Sequence, residues 1–291
     1  MKGHPLTLLV LLAVTAVWGV TFVQVKDAVA VYPLFAFLAL RFAIAAATLA
    51  PTAVGRVRGG VRPGIALGLL LAAGYALQTA GLERTTVSAT GFVTGLYVVL
   101  TPLLALALFR IRVGAAAWGG VALATLGLAL LSGVSAGEPA GDLLVLGGAA
   151  AFALQIVLME RWAPRYDVVG LTQVEMLAAC AAFLAAALLL RDLSVPHGWT
   201  VWGALLVTGI FASALAFLVQ TWAQRRTSAT RVAVVFAMEP VFAGLFGYLL
   251  AGDRLGWTGW AGCAVILLAI AVAEPTAGRV LRRFSQRSLL R

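Results

Sequence analysis

The sequence predicts an all-α membrane protein with ten transmembrane helices arranged as two inverted five-helix repeats. Three observations predict this class: an apolar composition, a duplicated set of motifs, and a one-sided distribution of basic residues. Hydrophobic residues make up 62% of the 291 residues, charged residues make up 11%, and the mean hydropathy is +1.02. A soluble domain carries about 25% charged residues, so this chain belongs in a lipid bilayer.

Ten stretches are apolar and long enough to be membrane spans, since one span needs roughly 20 apolar residues. In chain order, spans 1 to 10 cover 6–25, 33–53, 64–82, 87–109, 114–132, 141–160, 168–190, 199–221, 229–251 and 256–273. The connections between them are short, and none can hold a soluble domain. We therefore predict a single membrane unit.

The chain repeats its own pattern at a spacing of 142 residues, at which Tyr75–Thr79 (YALQT) returns as Phe217–Thr221 (FLVQT). Four residues around the start of span 5 also return at this spacing around the start of span 10: Arg112, Gly114, Trp118 and Gly120 match Arg254, Gly256, Trp260 and Gly262. Such duplication in a very apolar chain is typical of secondary transporters. The predicted units are a first repeat (1–134), a connecting loop (135–140), a second repeat (141–275) and a basic tail (276–291).

An odd number of spans in each repeat makes the second repeat enter the membrane from the opposite side. A pseudo-two-fold axis then lies in the membrane plane. In transporters of this kind the binding site lies near the midplane, beside interrupted helices. Pro102 in span 4 and Pro240 in span 9 predict these interruptions and are gating candidates, because proline removes a backbone hydrogen bond from a helix.

Basic residues favour one side of the membrane. With a cytoplasmic N-terminus, 16 of the 21 lysines and arginines fall on the cytoplasmic side and four on the other, and Arg41 lies inside a span. This asymmetry follows the positive-inside rule, and it predicts that both termini are cytoplasmic. We expect the basic tail to contact anionic lipid headgroups rather than nucleic acid. The excess of arginine over lysine, 19 against 2, favours a GC-rich bacterial genome and hence the bacterial plasma membrane.

Six short motifs follow one another along the chain: Val17–Phe22 (VWGVTF), Leu40–Phe42 (LRF), Phe92–Tyr97 (FVTGLY), Thr101–Leu103 (TPL), Glu239–Val241 (EPV) and Gly252–Leu255 (GDRL). In this order they resemble the EamA-domain members of the drug/metabolite transporter superfamily, over about residues 10–275. Two positions depart from the family pattern. Asp253 stands where a glutamate is common, and Phe109-Arg110 replaces a Gly-Glu pair.

The resemblance implies a ten-helix fold in which spans 1–4 and 6–9 surround a central cavity, with spans 5 and 10 at the periphery. It also implies alternating access for small organic solutes, often outward and often linked to protons.

Glu239 is the leading candidate for chemistry, because a carboxylate near the bilayer centre costs about 2.5–3.5 kcal/mol on insertion scales. We expect it to face the cavity or a partner rather than lipid. Burial disfavours the charged form, which would let this carboxyl exchange protons near neutral pH in coupling or in substrate binding. The alternative is that Glu239 only caps the backbone freed around Pro240.

Arg41 and Glu175 occupy equivalent positions in spans 2 and 7, each roughly 12 Å deep at 1.5 Å per residue. One hypothesis is a buried ion pair between them that locks one state. Another is that Arg41 binds the carboxylate of an anionic solute, since a planar guanidinium binds carboxylates through two hydrogen bonds. A third is that Arg41 packs against backbone carbonyls and never meets a solute.

Span 4 carries a polar stripe of Thr90, Thr94, Tyr97 and Thr101, whose spacing keeps them on one helical face. We expect this face to line the cavity, although a buried threonine can instead bond a carbonyl one turn back. Three glutamines are further candidates, because an amide in lipid needs a partner on another helix or on a solute: Gln78, Gln155 and Gln220.

Five aromatic residues are candidates for a pocket around an apolar or aromatic solute: Trp18, Phe22, Tyr75, Phe217 and Phe236. The alternative for each is ordinary packing between helices. The chain has only two histidines and two cysteines, and we predict no metal site and no cofactor.

The function predicted from sequence is secondary active transport of a small metabolite or drug-like solute across the plasma membrane, outward and coupled to protons. The alternative within transport is exchange or import of an anionic solute, such as a sugar phosphate or nucleotide sugar. An intramembrane lipid-modifying enzyme is a weaker alternative, because the chain contains no DxxxD or DDxxD pair of acidic metal ligands. The expected partners are the solute, protons or an exchanged solute, and membrane lipids. Whether two copies pair as a homodimer stays open.

Overall fold

The structure, a computed structural model, describes residues 5–85, 87–132, 138–246 and 256–273. In these ranges every regular element is helical. The helices in chain order are α1 (Pro5–Val29), α2 (Leu34–Ala53), α3 (Val61–Leu82), α4 (Val87–Gly95), α5 (Tyr97–Phe109), α6 (Ala115–Ser132), α7 (Pro139–Trp162), α8 (Val168–Leu190), α9 (Gly198–Gly209), α10 (Ala216–Gln224), α11 (Ala229–Phe236), α12 (Glu239–Phe246) and α13 (Trp257–Ala273). The predicted motif at 252–255, the first half of the predicted loop at 135–140 and the basic tail lie outside the described residues.

Long apolar helices dominate this architecture. Seven helical stretches are long and apolar enough to cross a membrane: Leu34–Ala53, Val61–Leu82, Thr90–Phe109, Pro139–Arg165, Val168–Leu190, Gly198–Gln224 and Ala229–Phe246. Three shorter apolar helices accompany them: Leu6–Thr21, Ala115–Leu131 and Trp257–Ala273. The described part of the chain therefore confirms an all-α, multi-pass membrane protein.

Three predicted spans are not single regular helices. Span 4 consists of α4 and α5, which meet at Leu96, and span 9 consists of α11 and α12, separated by Ala237 and Met238. Span 8 continues from α9 into α10 through a π-helical segment, Ile210–Leu215. A π-helix has i→i+5 hydrogen bonds and accommodates one extra residue in a helix, often at a functional site.

The positions of the two prolines differ from the prediction in one respect. Pro240 lies in the first turn of α12, where a missing N–H costs nothing because no helical partner exists for it. Pro102 lies inside α5, six residues after the discontinuity at Leu96. The prediction that Pro102 itself interrupts span 4 is therefore wrong. At the junction, the N–H of Leu96 donates to the carbonyl of Val93 at 3.2 Å, a tightened turn that ends α4.

Two groups of packed helices enclose the centre. α3 packs against α7 and α8, while α2 packs against α8, α9 and the π segment. α1 lies against α9, α11 and α12, and α5 lies against α7 and α11. α6 and α13 pack mainly on each other. The segments α1, α3, α4, α5, α7, α10, α11 and α12 thereby meet around one central space.

Candidate functional site

Two adjoining cavities lie in the centre of the bundle and share Trp18, Tyr75, Gln78 and Glu239 in their walls. They hold about 450 and 500 Å³ of empty space, including the space at their mouths. The first is lined by Trp18, Leu71, Tyr75, Gln78, Thr94, Tyr97, Phe152, Gln155, Ile156, Phe217, Gln220, Phe236 and Glu239. The second adds Arg41 and Thr21 and continues towards Leu82. We call the two together the central cavity.

Glu239 is the acid of the central cavity. It is the first residue of α12, directly after the break at Ala237 and Met238, so the end of α11 and the start of α12 aim its side chain at the cavity. Among the described residues, none forms a hydrogen bond with its carboxylate. Arg41, in the wall of the same cavity, is the cation that acts electrostatically on it. The carboxylate therefore remains available to a proton or a solute.

α1 holds this acid in place by a close helix crossing. A Cβ atom added to Gly19 would come within 2.7 Å of the Ala243 backbone nitrogen and within 2.9 Å of the Glu239 carbonyl oxygen. Real Cβ atoms are not found at such distances, so only glycine permits this approach. The motif residue Gly19 thus sets the distance between α1 and the first turn of α12.

Aromatic rings form one wall of the central cavity. The Trp18 ring packs edge-on against Phe236, with centroids 4.8 Å apart, and lies 5.8 Å from the ring of Phe217. Tyr75 packs edge-on against Phe152 at 5.2 Å. The indole N–H of Trp18 donates to the carbonyl of Ala212 at 2.8 Å, which fixes the ring. The rings serve both predicted roles, since they pack between helices and also face the cavity.

Arg41 is held by hydroxyl groups rather than by a carboxylate. Its Nε donates to Ser213 Oγ at 2.8 Å, and its Nη2 donates to the Tyr75 hydroxyl at 3.2 Å. The guanidinium carbon also lies 4.7 Å from the centroid of the Tyr75 ring, within range of a cation–π interaction. Arg41 is 4% exposed, so these contacts satisfy a charge that is largely removed from water.

The predicted ion pair between Arg41 and Glu175 is wrong for this conformation. Glu175 is fully buried, and its Oε1 accepts a hydrogen bond from Gln155 Nε2 at 2.7 Å. Its Oε2 has no hydrogen-bond partner among the described residues. Each of the two charged groups has found a nearer polar partner, Ser213 for Arg41 and Gln155 for Glu175, so neither needs to reach the other.

The π segment explains how Arg41 and Trp18 find their partners. Ser213 and Ala212 both lie in it, and they supply the hydroxyl and the carbonyl that these two side chains contact. α1 and α2 both pack against this segment, and its extra residue changes which groups of span 8 face them. The π segment is therefore the local irregularity on which one side of the central cavity is built.

A chain of amide hydrogen bonds runs from Glu175 past the central cavity. Gln155 Oε1 accepts from Gln220 Nε2 at 2.9 Å, and Gln220 Nε2 also lies 2.9 Å from Gln224 Oε1. Gln224 in turn donates to the carbonyl of Ile156 at 2.7 Å. We call these residues the amide chain. It joins α8, α7 and α10, and its two middle members, Gln155 and Gln220, line the cavity.

The polar stripe predicted on span 4 faces the cavity only in part. Thr94 and Tyr97 line it, and Thr94 Oγ1 accepts from Gln78 Nε2 at 3.0 Å. Thr101 instead donates to the carbonyl of Tyr97 at 2.7 Å, one turn back, which is the alternative arrangement for a buried threonine. Thr90 is fully buried and is not a wall residue of either cavity. The break at Leu96 changes the helix phase, which is why a stripe assumed to be continuous divides.

Most of the predicted site residues thus meet around one cavity. Wall positions belong to Trp18, Arg41, Tyr75, Gln78, Thr94, Tyr97, Gln155, Phe217, Gln220, Phe236 and Glu239. The side chain of Phe22 lies outside the described part of the structure. Pro240 follows Glu239 in α12, while Pro102 and Glu175 are not wall residues.

Sequence reasoning missed three residues that belong to this site. Phe152 is a wall residue three positions before Gln155, so helical periodicity indicates the same face. Gln224 stands four positions after Gln220 and extends the amide chain along α10. The sequence signal for Ser213 is weaker. The spacing between equivalent residues of the two repeats changes by one residue within span 8, where Ser213 lies.

Comparisons with known proteins agree with this architecture. The model of the EamA-like transporter family matches the chain twice, over residues 5–133 and 139–273. A protein of Archaeoglobus fulgidus named an uncharacterized transporter is 32% identical over 266 residues, which cover 90% of this chain and 83% of that protein. The uncharacterized inner membrane transporter YedA of Escherichia coli K12 is 27% identical over 285 residues, covering 93% and 90%.

A solved crystal structure superposes with a TM-score of 0.81 at 20% identity, over 95% of this chain and 99% of that chain, a likeness that shows the fold. The two family matches together span nearly the whole chain. The protein therefore belongs to the EamA-like transporter family and is a multi-pass membrane transporter.

Proposed function

We propose that this chain is a secondary active transporter that moves a small metabolite or drug-like solute by alternating access, outward and in exchange for protons. Its scaffold consists of ten membrane spans in two inverted five-helix repeats, 1–134 and 141–275. The observation that carries the proposal is Glu239, an acid without a hydrogen-bond partner among the described residues, which opens into the central cavity at a helix break. Three further observations support it.

The first is that α6 and α13 contact each other in a symmetric way: equivalent residues of the two helices make equivalent contacts. A Cβ on Gly120 would meet the Ala269 carbonyl oxygen at 3.0 Å and Ala273 Cβ at 2.6 Å. A Cβ on Gly262 would meet the Gly127 carbonyl oxygen and the Leu131 nitrogen, each at 2.6 Å. Gly262, Ala269 and Ala273 are the 142-residue mates of Gly120, Gly127 and Leu131. Exchanging each residue with its mate therefore reproduces the packing, as two-fold symmetry requires.

The second is a similar pair of symmetric contacts near the cavity. Gly68 on α3 packs against the carbonyl oxygen of Glu175. A Cβ atom added to Gly68 would come closer to this oxygen than real Cβ atoms do. Gly209 at the end of α9 packs in the same way against the carbonyl of Arg41, at 3.0 Å. Arg41 and Glu175 are equivalent residues of the two repeats. Since each repeat has an odd number of spans, this two-fold relation corresponds to opposite orientations in the membrane.

The third is the chemistry of the cavity wall. Aromatic faces and uncharged amides and hydroxyls suit a small organic solute, and a few polar groups suffice to orient it. Within a bilayer, interrupted helices beside such a cavity mark the binding site of inverted-repeat transporters. The breaks at Leu96 and at Ala237–Met238 lie on two facing spans, so a small rotation at either break would open one side and close the other.

The exchange step uses Glu239 as a shared site. When the carboxyl is protonated, the cavity is neutral at this point and a solute that relies on the carboxylate is released. When the proton leaves, the carboxylate again binds the solute, so the proton and the solute compete. Because the proton and the solute compete for one site, they cross the membrane in opposite directions. This requires that the protein with an empty, charged Glu239 switches slowly between its inward-open and outward-open states.

The proposal is tested in sealed vesicles that contain the purified protein and a pH-sensitive dye. A thermal-stabilisation screen over amino acids, nucleosides and cationic drugs first supplies a solute that binds. Adding this solute to wild-type vesicles is expected to drive proton flux. Glu239→Gln, which keeps the shape and removes the ionisable group, is expected to abolish that flux, while its unfolding temperature in detergent stays within a few degrees of wild type.

The matched control is Glu83→Gln, which neutralises an exposed carboxylate at the end of α3, outside the cavity. It should transport protons like the wild type. Solute-driven proton flux that persists in Glu239→Gln would show that the proton site lies elsewhere.

A second candidate function has one observation in its favour. Arg41 stands in the wall of the central cavity, where it would bind the carboxylate or phosphate of an anionic solute in an exchanger or importer. Its two hydrogen bonds to Ser213 and Tyr75 would have to be replaced by the solute. Stabilisation by sugar phosphates, with no effect of amines or neutral solutes, would favour this candidate.

A further inference from the structure

A second, larger cleft lies at one end of the bundle, outside the central cavity. It is enclosed by the connection between α5 and α6, the end of α7 and the turn between α10 and α11, and it holds about 1190 Å³ of empty space including its mouth. Its wall carries four arginines: Arg112, Arg225, Arg226 and Arg231. We call it the basic cleft. By the positive-inside rule these arginines are on the cytoplasmic side.

Positive charge is in excess in the basic cleft. Glu160 is the acid in its described wall, and its Oε2 already accepts the backbone N–H of Ala229 at 2.9 Å, at the start of α11. Arg226 is folded onto Trp222, since its Nη1 donates to the Trp222 carbonyl at 2.9 Å. Arg112 and Arg225 are exposed wall residues of the cleft, one on the α5–α6 connection and the other directly after α10. Both can therefore turn their guanidinium groups towards a ligand.

A buried hydroxyl in the same cleft is without a hydrogen-bond partner in the part of the chain that the structure describes. Thr227 is 8% exposed, and its Oγ1 forms no hydrogen bond with any described residue. The neighbouring wall residue Gln224 makes no hydrogen bond with it, and its amide is bonded instead to Gln220 and to the carbonyl of Ile156. Buried polar groups in folded proteins nearly always have a hydrogen-bond partner, so an unpaired one in the wall of a cleft indicates a bound ion or ligand. Thr227 thus points to an acceptor that binds in the cleft.

We propose that the basic cleft binds an anion of the phosphate class, held by Arg112 and Arg225 and accepting a hydrogen bond from the Thr227 hydroxyl. A guanidinium fork matches two oxygens of a phosphate, and such charge-assisted hydrogen bonds are about twice as strong as neutral ones. The phosphate group belongs either to a soluble metabolite or to the headgroup of an anionic lipid. The proposal rests on this cleft alone and does not depend on how the central cavity works.

The test is calorimetric titration of the purified full chain in an uncharged detergent at low ionic strength, where exposed charges are little screened. One titration uses pyrophosphate, and another uses monomeric dihexanoyl phosphatidylglycerol. Arg112→Gln and Arg225→Gln are each expected to weaken binding about tenfold, and Thr227→Val about fivefold. Arg58→Gln is the matched control, because Arg58 is an exposed arginine between α2 and α3 outside the cleft, and it should bind like the wild type.

The outcomes separate the two sources and can overturn the site. Pyrophosphate binding that Arg112→Gln and Arg225→Gln weaken supports a soluble phosphate compound. Binding of phosphatidylglycerol alone, weakened by the same variants, supports a lipid headgroup. If neither probe binds, or if the cleft variants and Arg58→Gln behave alike, the proposal is overturned. Thermal unfolding of each variant confirms that a loss of binding is not a loss of folding.

Discussion

Arg41 and Glu175 occupy equivalent places in the two repeats, yet each has its own set of neutral partners. A buried charge without compensation costs several kcal/mol, so such residues persist only where polar groups surround them. Arg41 has Ser213, Tyr75 and the Tyr75 ring around it. Glu175 has a single donor, Gln155. Glu175 thus has fewer polar partners than Arg41 among the described residues, and one of its carboxylate oxygens accepts no hydrogen bond there.

Ser213→Ala is expected to lower the free energy of unfolding by about 1.5–3 kcal/mol, because it leaves the Nε of Arg41 buried without an acceptor. Tyr75→Phe is the comparison, since it removes only the longer hydrogen bond of 3.2 Å and keeps the ring under the guanidinium. Thermal unfolding in detergent measures both variants. A larger loss in Tyr75→Phe than in Ser213→Ala would show that Ser213 is not the main partner of Arg41.

Gln155→Leu is expected to destabilise the protein by about 1–3 kcal/mol, because Glu175 loses its one donor and Gln220 loses an acceptor. A double-mutant cycle with Glu175→Leu isolates the contact between the two side chains. The cost of Gln155→Leu should be smaller when Glu175 is already absent. Equal costs in the two backgrounds would mean that Gln155 acts only through the other members of the amide chain.

At the residue scale, sequence reasoning found the groups that are rare in lipid and missed those that are common there. Glu239 and Arg41 are conspicuous in an apolar chain because their burial is costly. Ser213 and Phe152 resemble the ordinary contents of a membrane helix, so their position in the site became visible only from the packing. The predicted ion pair between Arg41 and Glu175 was wrong for a related reason. The similar depth of the two residues in the membrane gave no information about the hydroxyl and amide groups that lie nearer to each of them.

At the scale of the helix, the irregular segments carry the site. The spacing between repeat mates is 141 residues from Gly68 to Gly209 and 142 residues from Tyr75 to Phe217. The extra residue enters between these positions, where Ile210–Leu215 forms the π segment. Periodicity predicted a continuous span 8 because the stretch is apolar throughout. A one-residue insertion changes the helix phase without changing the composition.

Gly19→Ala is expected to destabilise the protein by about 1–3 kcal/mol, because the added methyl group would overlap the α12 backbone at 2.7 Å and push α12 away from α1. Since Glu239 begins α12, proton flux should fall together with stability. Unfolding temperature and flux in vesicles measure the two effects.

Gly203→Ala provides the matched control for Gly19→Ala. It adds the same methyl group in α9, where the nearest atom of another side chain is 3.7 Å away, and alanine favours a helix over glycine by roughly 0.5–1 kcal/mol. This variant should be neutral or slightly stabilised and should transport normally. If both variants behaved alike, the crossing of α1 and α12 would not set the position of Glu239.

At the scale of the whole molecule, the sequence predicted the all-α membrane class correctly, while the inverted arrangement of the two repeats stays a prediction. Composition and span length sufficed for the class, since nothing but a helix satisfies its own backbone in lipid. The symmetric packing around Gly120 and Gly262 could not be predicted from the sequence. A motif match indicates which residues are equivalent but not which of them are in contact. The basic cleft was also missed, as its arginines come from connections far apart in the chain.

The inverted orientation of the repeats is tested with two exposed valines in equivalent connections. Val54, after α2, is 83% exposed, and Val195, after α8, is 70% exposed. In a background without Cys180 and Cys263, a membrane-impermeant maleimide added to intact cells is expected to label Val195→Cys and not Val54→Cys. Opening the cells should make Val54→Cys reactive. Labelling of both positions from the outside would rule out an inverted arrangement.

Among the described residues, a π segment occurs only in the part of the chain that matches the second family domain, at Ile210–Leu215. A perfectly duplicated transporter would interconvert between two end states of equal free energy, since each state would be the other seen from the far side of the membrane. The surplus residue in span 8 removes that degeneracy, because one half always carries the bulge and the hydroxyl that anchors Arg41. In the proposed alternating-access mechanism, the empty protein is therefore expected to prefer one resting side, fixed by its own chain rather than by gradients or cargo.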